Sequence, residues 1–146
     1  MVSQIADRYP DKPCWPAEIN DRAFARAISH EMHSGFFAIR NTLPMNCRTH
    51  KVFSPIDAEL QADIDRICEI WCTARDQYAA GGPFLLGEFT IADAMFAPIV
   101  LRFDSYGIEV GAIEEAYMKA ILSLPALQDW ITAGKAEIEV IAASEI

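Results

Sequence analysis

The chain has 146 residues, of which 52% are apolar and 23% charged, with a formal charge of −9. That length suits one domain burying roughly two-thirds of its extended surface, and the composition excludes disorder. No uncharged apolar run nears the ~18 residues of a membrane span. Met1–Lys12 lacks the basic start and apolar run of a signal peptide, so a cytoplasmic location is expected.

The acidity argues against nucleic-acid or anionic-membrane partners. It is unevenly spread: residues 1–51 hold seven basic and five acidic residues, whereas residues 52–146 hold five and sixteen. The N-terminal third is where an anionic ligand would find a favourable field, unless the imbalance is an accident of one solvated surface.

In chain order, Met1–Pro16 carries three prolines and is predicted to be an irregular arm. Asn20 or Asp21 can cap a long helix running to about Asn41 and stopped by Pro44, with an apolar stripe of Phe24, Ile28, Met32, Gly35 and Ile39. Gly35 would permit close approach of another helix. Thr49–Pro55 is a polar loop, with Arg48, His50 and Lys51 as a small solvated basic cluster. Asp57 starts a second helix carrying Leu60, Ile64, Ile67, Trp71 and Ala74, which closes at Gly81-Gly82-Pro83. A third runs from Thr90 to Tyr106, kinked at Pro98, with Gly107 left-handed behind it. Glu114–Leu124 is a fourth and Ala126 to about Ala143 a fifth. Trp71, Phe96 and Trp130 fall at core positions. With no sustained period-two alternation, the expected fold is all-α: a helical domain over 17–146 behind a linker arm over 1–16.

Cys14, Cys47, Cys68 and Cys72 make no CxxC or zinc spacing and are read as small apolar residues. His30 and His33, one turn apart, lack a third ligand of diagnostic spacing, so no metal is expected.

Gly87-Glu88-Phe89-Thr90-Ile91-Ala92-Asp93 has the pattern of a capping box, with Thr90 as N-cap and the Asp93 carboxylate reaching back to the Thr90 amide. A general-base role for Asp93 would leave Thr90 unexplained. Followed by Ala97-Pro98-Ile99-Val100 and Arg102, this segment resembles the capping-box helix of cytosolic glutathione transferases. Glu31-Met32-His33-Ser34-Gly35-Phe36, Pro83-Phe84-Leu85-Leu86-Gly87 and Leu124-Pro125-Ala126-Leu127 with Trp130 are similar to other pieces of the C-terminal helical domain in bacterial members.

The resemblance implies a bundle of about five helices that walls a hydrophobic substrate pocket and meets a second subunit. It implies glutathione as cosubstrate, but the thioredoxin-like domain that would hold and activate the thiol is not in this sequence. Ile5–Pro10 with Trp15-Pro16 looks like that domain's last stretch and linker. No catalytic residue can be carried over, and little turnover is expected from the chain alone.

Arg26, His30, His33, Phe37 and Arg40 recur at spacings of four, three, four and three, on one face of the first long helix. They form either a pocket wall for a small hydrophobic electrophile and an anionic cosubstrate, or a solvated or dimer-facing surface. The functional expectations are therefore the pocket and homodimerisation domain of a thiol-conjugating protein, complemented by a thioredoxin-like domain or chain, or a stand-alone binding or assembly module. The module would use a patch from Phe53, Phe84, Phe89 and Phe103. An apolar-ligand carrier would share the same pocket.

Overall fold

A computed structural model of the protein describes residues 2–142, with side chains from residue 4. Among them are seven α-helices: α1 (Val2–Arg8), α2 (Ile19–Ser34), α3 (Phe37–Thr42), α4 (Ala58–Tyr78), α5 (Ile91–Tyr106), α6 (Ala112–Leu122) and α7 (Pro125–Ala136). The described residues include no strand, only isolated bridges at Phe84–Gly87 and Leu86–Glu88. The all-α expectation holds, and no helix is long and apolar enough to cross a membrane.

Three departures from the predicted elements have physical causes. The arm expected to be irregular opens with α1, because its prolines begin only at Pro10 and leave residues 2–8 free to coil. The long first helix is two. Gly35 ends α2 with its N–H on the Glu31 carbonyl at 2.9 Å, and Phe36 then takes a left-handed turn at φ 60°. Such a conformation costs a residue with a Cβ about 1–2 kcal/mol, offset here by burial of the Phe36 ring. Gly35 therefore terminates a helix instead of admitting a neighbour, and a Cβ there would meet the Glu31 carbonyl at 3.0 Å. The last helix stops at Ala136, beyond which Arg48 donates to the carbonyls of Glu137 (2.9 Å) and Glu139 (3.5 Å). The basic loop thus strands the tail along the surface. Ala143, where that helix was expected to end, lies outside the described residues.

Other starts follow their caps. The Glu18 carboxylate, two residues before the earlier of the expected caps, accepts from Asn20 and Asp21 at 2.6 and 3.0 Å to begin α2. Asp57 accepts from the Leu60 amide at 2.8 Å and begins α4.

The core is built on α5, which packs between α2 and α6 and runs unbroken through Pro98. Trp71 of α4 is fully buried, with its ring 6.2 Å from Phe96, 5.7 Å from Phe103 and 4.9 Å from Tyr117. Phe103, expected in a surface patch, is core instead. Trp130 is 47% exposed, because Leu127 and Ile131 form the inward stripe of α7 and Trp130 falls beside it.

Two glycines separate conformational need from mere absence of a side chain. Gly87 sits at φ +88°, and a Cβ there would lie 2.9 Å from Gly81 Cα. Gly134, inside α7, would meet nothing closer than the Cys47 sulfur at 3.6 Å. Gly87→Ala is expected to cost about 2 kcal/mol, while Gly134→Ala should stabilise by about 0.5–1 kcal/mol. Urea midpoints measured with unchanged slope check both signs.

Candidate functional site

A buried, multiply hydrogen-bonded polar centre lies at the start of α5. Asp93 is fully buried, and its Oδ2 accepts from the Thr90 amide at 2.8 Å and the Thr90 hydroxyl at 3.1 Å. Oδ1 accepts from the Leu85 amide at 2.9 Å, and Thr90 Oγ1 accepts from the Ala92 amide at 3.2 Å. The reciprocal capping box read from the sequence is present. Phe89, just outside it, packs edge-on to Phe84 at 5.4 Å, giving the cap an aromatic cover.

Burial pushes the Asp93 carboxyl above its ordinary value, opposed by the amides of Leu85 and Thr90. The fully buried Tyr117 beside it is pushed well up by desolvation and by that same carboxylate. Arg75 of α4 donates to the Phe84 carbonyl. One carboxylate thus ties the start of α5 to the 84–87 turn. Asp93 lines none of the four main cavities, so its chemistry is that of an acceptor holding structure together.

The five residues expected to share a face are divided by the break at Gly35. Arg26, His30 and His33 are exposed on α2. The Arg26 guanidinium lies 5.6 Å over the Trp15 ring, and His30 Nδ1 stands 2.6 Å from the Arg26 carbonyl. Phe37, 65% exposed, opens α3. Arg40 turns back to donate to the carbonyls of Gly35 (3.0 Å) and Met32, closing the end of α2. The extra residue in the left-handed conformation rotates α3 out of the phase that four-three spacing assumes. None of the five lines the main cavities.

Those cavities lie elsewhere. One of about 510 Å³ runs between the Pro10–Ala17 segment and Leu86, Glu88 and Thr90. Another of about 320 Å³ lies under the tail, against Cys47, Arg48 and Trp130. Periodicity alone missed both, since neither the proline segment nor the stranded tail is helical; the one signal was the position of Trp130 beside the inward stripe of α7.

All four cysteines are free and half-buried, in keeping with their reading as small apolar residues. Burial first, and then the Glu114 carboxylate, pushes Cys68 up to about 12 and Cys72 up to about 11.

The family model for the glutathione S-transferase C-terminal domain matches residues 51–133. The chain belongs to that family. No match was found among curated proteins. The matched stretch covers α4 to most of α7 and includes the Thr90–Asp93 box, whereas α2 and α3, which carry Arg26 to Arg40, lie before it.

In this glutathione S-transferase domain, Asp93→Ala is expected to cost about 3 kcal/mol by leaving buried amides unpaired. A pH dependence follows from burial. The folded-state pKa of Asp93 lies above the ordinary 3.8, so its contribution is complete below about pH 4 and is lost as pH rises through the folded value. Relative to Asp93→Asn, the wild type should therefore gain stability on acidification from about pH 7 to about pH 4. Urea titrations of both chains across that range give the difference directly, and its sign is the test.

Proposed function

We propose that this chain is the electrophile-positioning and dimerising half of a glutathione-dependent thiol-conjugating protein, acting with a thioredoxin-like domain that holds the cosubstrate. In that chemistry the glutathione thiolate attacks an electrophilic carbon, and the helical half contributes by orienting the electrophile. The observation that carries the reading is the family match over residues 51–133. No catalytic residue is assigned to this chain, whose role is placement.

Two features support where that placement would occur. The exposed Arg26, His30 and His33 of α2 lie in the part of the chain where basic residues outnumber acidic ones, with exposed Phe37 following. They would offer cations to an anionic cosubstrate and a ring to an apolar electrophile. Arg40 is assigned to the end of α2 and is left out of this surface. The α2 helix is held to α4 by a two-pronged pair, Arg66 Nε to Glu31 Oε1 at 2.7 Å and Nη2 to Glu31 Oε2 at 2.9 Å. The two helices can therefore act as one platform for a homodimer, in a cytoplasmic setting. The second reading, a binding or assembly module, is favoured by Ile5 and Tyr9 of the N-terminal segment, both about half exposed.

Calorimetric titration with reduced glutathione, paired with conjugation to an aryl halide, tests the proposal. The chain alone should show no binding tighter than about millimolar and no turnover; adding a thioredoxin-like domain of the family should restore turnover, and Arg26→Ala with His30→Ala should reduce it. Turnover never restored, with a stable dimer by sedimentation, would favour the assembly module. A monodisperse monomer at micromolar concentration would overturn dimerisation.

A further inference from the structure

Two cysteines unused by the conjugation reading sit one turn apart on α4, where α4 packs against the start of α6. The Cys72 thiol donates to Glu114 Oε1 at 3.1 Å, and the same carboxylate lies against Cys68. Glu114 is only 7% exposed and belongs to the first turn of α6, where the helix start favours a carboxylate. Both thiols keep part of their surface in solvent. Burial and Glu114 hold them protonated, so neither is an activated single nucleophile. What distinguishes them is their pairing.

Spacing decides what such a pair can take. Residues four apart on a helix have Cβ atoms about 5–6 Å apart, against about 3.5–4.5 Å in a disulfide. A direct sulfur–sulfur bond would distort α4, whereas one large bridging atom makes up the difference. Among the described residues no group of three or more His, Cys, Asp or Glu is arranged to hold a metal ion. The spacing of the pair fits an atom that bonds two sulfurs at once.

We propose that Cys68 and Cys72 form a bidentate site for a trivalent organoarsenical, captured by the two partly exposed thiols beside Glu114 at the α4–α6 contact. The arsenical, RAs(OH)2, exchanges both hydroxides for thiolates. Two As–O and two S–H bonds break, two As–S bonds form, and each thiol proton leaves with a hydroxide as water. Arsenic stays trivalent, so no oxidant or reductant enters. Glu114, already accepting from Cys72, takes that proton first and passes it to the departing hydroxide. Closure of the second As–S bond is intramolecular, which lets the pair outcompete a free monothiol.

Phenylarsine oxide titrated into the full chain, read by intact mass, tests this. The expected product is one phenylarsenic group per chain with both thiol protons displaced, resistant to 2-mercaptoethanol and removed by 2,3-dimercaptopropanol. Tryptic digestion should place it on the peptide 67–75, which contains both cysteines. Cys68→Ala and Cys72→Ala should each abolish the resistant adduct, and Cys14→Ser with Cys47→Ser should keep it. Circular dichroism checks that each variant is helical, while the peptide assignment on the wild type stands without any variant. No resistant adduct, its location on another peptide, or its survival in Cys68→Ala overturns the proposal.

Discussion

The structure depends on one buried carboxylate. Asp93 has no solvent to fall back on, so its two oxygens must be satisfied by the chain, and the donors they take come from Leu85 and from the amide and hydroxyl of Thr90. Those bonds start α5 and hold the Phe84–Gly87 turn against it. A buried charge without such donors would be far costlier than the bonds are worth. The turn and the helix are therefore mutually conditional. Gly87 belongs to the same constraint, since its left-handed backbone lets the turn close against Gly81.

From that anchored start, α5 becomes the element on which the others are laid. Its buried Phe96 and Phe103 meet Trp71 of α4, and Trp71 meets Tyr117 of α6, so one indole joins three helices. Away from this centre the packing thins. The last helix, α7, has no fully buried residue, and the tail beyond it is held by Arg48. Cavities occur where packing is thin, under the tail and beneath the proline segment.

Glu114 shows a smaller version of the same logic. Like Asp93 it is a buried carboxylate in the first turn of a helix, but it takes a thiol from α4 as a donor. One carboxylate is enclosed by backbone amides and serves structure. The other faces two partly exposed thiols of α4. The difference between a structural carboxylate and one available to chemistry lies in its donors and its access to solvent.

Local chemistry was legible in the sequence. Thr90 and Asp93 three residues apart specify a capping box wherever a helix begins, Asp57 starts α4, and the three-four spacing of apolar residues marks α4, α5 and α6, because these signals act within one helical turn. The all-α class followed from them, while the family was indicated by the resemblance of whole segments, Pro83–Asp93 with Arg102 and Leu124–Leu127 with Trp130. What only the tertiary structure decided is where local signals compete. The apolar stripe runs through Gly35 without a gap, yet the helix breaks there, because burying Phe36 and turning Arg40 onto the carbonyls of Met32 and Gly35 offset the loss of helical bonds. That break divides the Arg26–Arg40 face, which helical phase alone had made continuous. The exposure of Trp130, the burial of Phe103 and the meeting of Cys68 and Cys72 with Glu114 likewise depend on which helix packs against which. Such contacts join residues tens of positions apart, and no spacing within a single helix encodes them.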